Sequence, residues 1–544
     1  MRVLGIKISH DASVSLIDGS HLRFSIELEK INGNQRYVDM PDLRSVLEIL
    51  QNEGISLQEI DVVCVDGWRE TQVTRQLFEQ QVHFRLAPYV SGLICEEPLT
   101  AVHSRITDLP IESYPHQTNH VSSAYFVSPF ASASKPSHVL VWDGAMLPTM
   151  YFVAPDRKMF RRGPVLFPLL GDVYHEFALN YWPFAGTYAW PSCLGLAGKI
   201  MAYIARGRVR PELVIQWRKE LAAMKPLRGY QEFYGRRFLS EFLERCRKVS
   251  TARHEDAIAS WHDLLEEVLV DSLKQFMQSG AAERSRNLVI TGGCALNIKW
   301  NASIRRSGLF DEVYVPPFAN DAGAGIGAAI SGRLKRGDFS PITWSVYSGP
   351  AIYEGDVSRS GSWHREAATL GRITDLLSAG EVVCALHDRA ELGPRALGNR
   401  SLLALPRPGI KRRLNLIKHR EDYRPISPMC TQASAKRYFC PGEPDPFMLF
   451  EHRTREEFAQ ALLECTHEDG TARLQTVTEQ SNRRVYDLLK LIERRNGLPI
   501  LCNTSANAPG KGFFSSVAEC VEWGGVDYIW SGDLLYVNSS RVTG

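Results

Sequence analysis

Residues 1–30 read MRVLGIKISHDASVSLIDGSHLRFSIELEK. Three short apolar runs, at 3–8, 13–17 and 22–27, are separated by turn residues, and Asp18-Gly19 supplies a tight turn between the second and third. This pattern predicts a β-meander. Further along, runs at 62–65, 138–142, 288–290 and 312–315 alternate with segments of helical period, which predicts an α/β fold. The stretch near 207–285, rich in Glu, Arg, Leu and Phe at helical spacing, reads as a helical insertion. From about 332 to 363 the chain becomes loop-like, with Gly349-Pro350, Gly355 and a small polar run, so residues 1–345 are expected as one domain, 346–363 as a linker and 364–544 as a second α/β domain. In the second domain strands are expected at 382–386, 499–501 and 534–537, with long helices over 472–495.

The 544 residues carry 63 basic against 61 acidic side chains, 44% hydrophobic and 23% charged, which fits a soluble globular protein and excludes disorder and fibres. A net charge of +2 gives no long-range field for a phosphate polymer or an anionic membrane, so small anionic ligands fit better. Residues 1–10 lack an apolar signal core, and no later run approaches about 20 uncharged apolar residues. The eleven cysteines include no CxxC pair. A reduced, cytoplasmic chain without nucleic-acid or membrane partners is expected.

His116 and His120 are four apart in a helix-like run, so both imidazoles project from one face. Asp143 follows an apolar strand in LVWDGA, and Asp321 precedes a glycine-rich helix start in FANDAGAGIGAA. An N2O2 set without sulfur suits Fe(II), Mn(II) or Zn(II). His10 and Asp11, in ISHDAS, stand where a turn presents them to a ligand, although a turn cap is the plainer reading of His10. Gly292 and Gly293, with Gly323, Gly325 and Gly327, offer either close backbone approach to a nucleotide or helix packing. Gly198-Lys199 is followed by Ile200, so it is not a P-loop. The strongest local signal is ELGPRALGNRS at 391–401, followed by Lys418, Arg420 and Arg424, with Arg473 and Asn503-Thr504-Ser505 later. Guanidinium forks of Arg395, Arg400 and the later arginines, interleaved with turn residues, suit a phosphate clamp. Residue types alone thus point to a phosphate-bearing substrate and two domains, and leave a metal open.

GPRALGNRS at 393–401, KxRExxRPxxP at 418–428, QTVTExxN at 475–482 and NTSxN at 503–507 stand in this order, after HDAS, HxxxH, WDG, AGKIMA, GGCALN and NDAGAGIGAA. With these motifs nearly the whole chain resembles the NodU/CmcH-type O-carbamoyltransferases, the family of TobZ-like antibiotic-tailoring enzymes. The resemblance implies an actin-like ATPase domain (ASKHA class, duplicated ribonuclease-H-like) followed by a YrdC-like α/β domain. It implies that ATP, with Mg2+, and carbamoyl phosphate give carbamoyl adenylate, whose carbamoyl group passes to a hydroxyl of a secondary metabolite, an antibiotic or its sugar. Carried over by motif, His116, His120, Asp143 and Asp321 hold Fe(II) or another divalent metal, and His10 is catalytic. Asp11, Lys199, Gly292, Gly293 and Asn297 contact carbamoyl adenylate; Arg395, Lys418, Arg420, Arg424, Arg473, Asn503 and Ser505 bind ATP and carbamoyl phosphate. Partners are then these two substrates and a hydroxylated small-molecule acceptor, with a homodimer left open. The chain departs from the family pattern at Gln117, in place of a His, and at residues 27–36, where an EEERxxRxKH segment is only faint. A tRNA threonylcarbamoyl-transferase and an actin-like ATP-binding regulator or chaperone are the alternatives; the first is disfavoured by the lack of basic clusters with interleaved aromatics.

Overall fold

Strands Arg2–Lys7, Ser13–Asp18 and His21–Glu27 pair antiparallel in the computed structural model, forming the meander expected from the sequence. The structure describes all residues except 91–100, 155, 157–159, 225–230, 250–252, 358–361 and 543–544. It is a mixed α/β protein of two units. One comprises Met1–Leu28 with Tyr37–Ser345; the other comprises Glu29–Arg36 with Val346–Gly544.

The first unit contains one topology twice. In its first sheet Arg2–Lys7 continues parallel to Val62–Asp66, which is parallel to Leu109–Tyr114. In its second sheet Ser137–Val141 pairs antiparallel with Thr149–Val153, which pairs antiparallel with Phe160–Val165. On its other side Ser137–Val141 runs parallel to Asn287–Thr291, which is parallel to Glu312–Tyr314. Both sheets therefore have the order third, second, first, fourth, fifth, with the same strand directions; the first adds Val102–Ile106 at its edge. A separate hairpin, Gln72–Leu77 with Gln80–Arg85, was not legible as strands. Helices Pro211–Ala223, Gln231–Val249 and His254–Gln278 occupy the inserted stretch, where Phe177 stacks on Trp261 at 4.1 Å and Trp217 closes the cluster.

Two helices position the chemistry. His116–Phe126 starts two residues past the strand Leu109–Tyr114, and Ala324–Lys335 packs across it and across Arg2–Lys7. The approach is so close that a Cβ on Gly327 would lie 2.1 Å from the Asn119 carbonyl oxygen, and one on Gly5 would lie 2.0 Å from the Gly325 oxygen. Gly325 and Gly327 therefore serve helix packing and not nucleotide approach.

The second unit is built on an eight-stranded sheet in the order Trp363–Ala367, Leu534–Asn538, Tyr528–Ser531, Val383–Leu386, Arg400–Ala404, Ile500–Ser505, Ser427–Thr431, Gln475–Val477. Helices Leu370–Ser378 and Arg483–Asn496 bury Ile373, Leu377, Leu488 and Ile492 against one face. Three stretches show local detail beyond the expectations. Residues 472–482 are not helical: Gln475–Val477 is a buried strand, and the helix begins at Arg483, where the Asn482 side chain accepts from the Val485 N–H at 3.1 Å. Of the stretch 346–363, expected as a linker, Val346, Gly349 and Pro350 are hydrogen-bonded to Leu392 and Ala390 within the second unit, and residues 358–361 lie outside the described residues. Glu29–Arg36 leaves the meander to join the second unit, where the Arg36 N–H donates to the Gly510 oxygen and the Gly512 N–H to the Asn34 oxygen. Among the described residues no helix is long and apolar enough to cross a membrane, and the described cysteines are free thiols.

Candidate active site

The helix His116–Phe126 aims His116 and His120 at Asp321, which sits in the turn leading into Ala324–Lys335. The Nε2 atoms of the two histidines are 3.2 Å apart, and each approaches Asp321 Oδ1, at 3.3 and 3.5 Å. Asp143, just past the strand Ser137–Val141, completes a set of four ligand atoms all within 4.8 Å of one another, and all four side chains are buried. Asp66, at the end of its strand, accepts from His116 Nδ1 at 2.7 Å, which leaves Nε2 as the lone-pair nitrogen, and is itself held by Asn119 Nδ2 at 2.8 Å. Asp143 accepts from the Gly293 N–H and, at 2.8 Å, from the Tyr89 hydroxyl. The Lys7 ammonium lies 2.9 Å from Asp321 Oδ2 and 3.2 Å from Asp66 Oδ2, over the Trp68 ring.

The electrostatics are those of a cation site. Burial works against a charged His116, but Asp66 and Asp321 outweigh it and raise the imidazole to about 9. Burial likewise opposes ionisation of Asp321, yet Lys7, His116 and His10 hold it well below the usual carboxylate range. Two buried carboxylates thus draw a proton onto a ligand nitrogen. The donor set, its closeness and the Asp66 support fit a divalent metal, whose binding would replace that proton.

His10 stands at the rim. Its Nδ1 is 3.0 Å from Asp11 Oδ2 and its Nε2 is 3.4 Å from Asp321 Oδ2. Asp11 has φ of 55°, a left-handed turn conformation that tucks its carboxylate under the imidazole. The His10 ring is flanked edge-on by Trp68 at 5.2 Å and by Trp190 at 5.1 Å, and Trp190 is 61% exposed. Gly292, at φ 90°, lets the chain pass the Trp142 carbonyl, which a Cβ would meet at 2.3 Å. Asn297 is less available than expected: its Oδ1 caps the helix Ile298–Arg306 by accepting from the Lys299 and Trp300 N–H groups, leaving its Nδ2 for a ligand. Lys199 is half-buried on the helix Leu196–Tyr203. Sequence reasoning missed Lys7, Asp66, Trp68 and Tyr89. The one local signal was a lysine ending an apolar strand.

In the second unit Arg473 is crowded by cations. Desolvation, then Arg395, Arg420 and Arg424, hold its guanidinium well below the usual range. Burial and Arg424 bring Arg420 down to about 9. The four guanidiniums make this a strongly positive locus, opposed in part by Asp445. Lys418, Asn503 and Ser505, expected as ligands of ATP and carbamoyl phosphate, make hydrogen bonds within the second unit, and Asn503 Oδ1 is left without a partner among the described residues. The Lys418 ammonium donates to the carbonyls of Ser505 and Asn507, at 2.7 and 2.5 Å, and to the Asn507 side chain. Asn503 Nδ2 donates to the Ala396 oxygen and Gln475 Oε1, both at 2.9 Å, and Ser505 Oγ donates to Asn507 Oδ1 at 2.6 Å. These three hold the loops that carry the arginines. Arg400 also differs from expectation: it begins a strand, is 1% exposed, and donates to the carbonyls of His387, Asn399, Pro350, Asp388 and Phe514. Glu391 Oε1 gathers the Leu397, Asn399 and Arg400 N–H groups.

Residues 2–330 match the family described as "Carbamoyltransferase N-terminus", and 374–538 match "Carbamoyltransferase C-terminus". The chain is 39% identical to "Nodulation protein U" of Sinorhizobium fredii (strain NBRC 101917 / NGR234), over 98% of this chain and 99% of that one. It is 32% identical to the "3'-hydroxymethylcephem-O-carbamoyltransferase" of Streptomyces clavuligerus, over 98% and 99%. A solved dehydratase activator from Clostridium difficile with bound ADPNP aligns over 62% of this chain and 97% of that one at 14% identity, with a TM-score of only 0.33. Matched over both of its units and aligned with O-carbamoyltransferase relatives almost end to end, the chain is an enzyme of the carbamoyltransferase family.

Proposed function

We propose that the chain is an ATP-dependent O-carbamoyltransferase with two sites, and the observation that carries this reading is the cluster of Arg395, Arg420, Arg424 and Arg473 in a different unit from the His116, His120, Asp143 and Asp321 set. In the second unit, read as YrdC-like, the arginines bind the phosphates of ATP and carbamoyl phosphate, and carbamoyl phosphate, water and ATP give carbamoyl adenylate, phosphate and pyrophosphate. Fixed cations suit this chemistry because charge must be held on two departing phosphates without reorganisation. In the first unit, whose twice-used topology supports the actin-like reading, the acceptor hydroxyl attacks the carbamoyl carbon and AMP leaves. With Nδ1–H on Asp11, His10 presents Nε2 to take the hydroxyl proton. Tyr89 and Gly293 fix Asp143, and Asp66 fixes His116, so the ligand set is preorganised. Fe(II) or another divalent ion held by the four ligands supplies Lewis-acid stabilisation of negative charge.

The acceptor is a hydroxyl of a secondary metabolite, an antibiotic or its sugar, in line with the cephem name of one relative. The free thiols support a reducing, cytoplasmic setting. A mass-spectrometric screen of hydroxylated glycosides and macrolides for gain of one carbamoyl unit identifies the acceptor. Single-turnover transfer of label from carbamoyl phosphate then tests the mechanism. His10→Asn is expected to accumulate adenylate without carbamate ester, and Arg395→Ala to form neither. Failure of both variants at the same step would refute two-site chemistry.

A further inference from the structure

Arg395 lies on the loop 391–400, whose backbone passes through left-handed conformations at Gly393 (φ 79°) and Gly398 (φ 122°). Such a loop does not hold a guanidinium in place unaided, and its carbonyls are gripped by side-chain donors. Asn503 takes the Ala396 oxygen, and Gln475 Nε2 and the Tyr347 hydroxyl take the Leu397 oxygen, at 2.8 and 3.0 Å. At the entry to the loop the donor is Lys30, whose ammonium is 2.7 Å from both the Glu391 and the Gly393 oxygens.

Lys30 is 0% exposed and comes from the segment Glu29–Arg36, 361 residues before Glu391 in the chain. Its ammonium sits 4.9 Å from the centre of the Phe513 ring. The segment is clamped into the second unit on both sides of its tip. Beyond the hydrogen bonds to Gly510 and Gly512, the Glu29 carbonyl approaches so closely that a Cβ on Gly512 would lie 1.7 Å from its oxygen. The flanks of the same segment are tied down in the first unit: the Leu28 N–H donates to the Ala12 oxygen, and the Ala12 N–H to the Val38 oxygen. Ala12 is the neighbour of Asp11, the partner of His10.

We propose that Lys30 is a positioning residue for adenylate formation, acting through the loop 391–400 to place Arg395 on phosphate. This rests on the reading of the arginine cluster as the phosphate site. An ammonium bridging two carbonyls two residues apart fixes the direction in which the chain enters the Gly393-Pro394 turn, and Arg395 follows directly. A side chain from the first thirty residues thereby steadies a loop whose arginine, with Arg420, Arg424 and Arg473, lies beyond residue 345.

The test uses the full chain and separates the half-reactions. Lys30→Met keeps the length of the stem and its packing on Phe513 but removes the donors. It is expected to lower kcat/KM for carbamoyl phosphate-dependent pyrophosphate release about tenfold to hundredfold, chiefly through KM. Transfer from supplied carbamoyl adenylate is expected to stay within about twofold of wild type, and Lys30→Arg, whose fork reaches both carbonyls, to recover most of the loss. Normal pyrophosphate release in Lys30→Met, or an equal fall in both half-reactions, overturns the proposal. Should Lys30→Met fail to fold, Lys30→Gln, which retains an N–H2 donor, must show the same split, and its absence is equally decisive. Arg395→Ala is the control: if it too releases pyrophosphate normally, the phosphate-site reading falls, whereas loss there with no effect at Lys30 refutes the positioning role alone.

Discussion

Loading of the buried quartet should exchange one proton for one cation. Without metal, His116 keeps its proton up to about pH 9, because Asp66 and Asp321 outweigh the desolvation of the imidazolium. A metal ion needs the His116 Nε2 lone pair, so below pH 9 binding expels that proton, and the apparent dissociation constant should rise tenfold for each unit of pH lost. Between pH 8.5 and 6.5 this amounts to about a hundredfold, or about 3 kcal/mol. Stability of the metal-free chain moves the other way. A folded-state value raised from the usual histidine value of about 6.5 contributes stability that is complete below pH 6.5 and lost as pH climbs through 9, about 3 kcal/mol for this group. Chelator-competition titrations of metal-stripped protein with Mn(II) at pH 6.5, 7.5 and 8.5 measure the first effect. Calorimetry in two buffers of different ionisation enthalpy counts the protons, with about one expected at pH 7.5. An affinity flat across this window, or proton release near zero, would refute the reasoning.

Three further outcomes follow from the packing and the charges. Gly327→Ala forces a methyl onto the Asn119 backbone, which supports Asp66 and through it His116; a loss of about 1–3 kcal/mol in thermal or urea unfolding, with weaker metal binding, is expected. Arg400→Met removes a donor from five carbonyls, of which Pro350, Asp388 and Asn399 keep a backbone N–H while those of His387 and Phe514 lose their side-chain donor, and should cost about 2–5 kcal/mol in chemical unfolding. Trp190→Ala, which removes an exposed ring beside His10, should raise the acceptor KM in steady-state assays while pyrophosphate release remains normal.

The core strands were legible because each is a short apolar run closed by turn residues, and the members of the buried quartet because His116 and His120 share a helical face while the aspartates follow strands. Lys7 and Asp66 were not, since a buried ion pair 59 residues apart leaves no local trace. The strand Gln475–Val477 is three residues long, too short to show an alternation, so the helical pattern after it swept it in. Arg400 was misjudged for a related reason. Its sequence neighbours, Gly398 and Asn399, mark a turn, but the chain enters a strand at Arg400 and turns the guanidinium inward to carbonyls from four separate stretches. The faint motif at 27–36 gave no hint that Glu29–Arg36 leaves its own unit, because that allegiance is set by Gly510, Gly512 and Phe513 near the other end of the chain.

The repeated sheet order of the first unit has an evolutionary consequence. In each copy the chain leaves its fifth strand, Leu109–Tyr114 or Glu312–Tyr314, and enters a helix, and it is on these two corresponding passages that His116 and His120 in one copy and Asp321 in the other are found. The exits of the two first strands correspond as well: one leads to His10 and Asp11, the other to Asp143. A polypeptide of half this length, pairing with itself, would have carried every one of these passages in duplicate and identical. In one chain the corresponding passages are free to differ, and within the quartet both imidazoles stand on one copy and both carboxylates on the other.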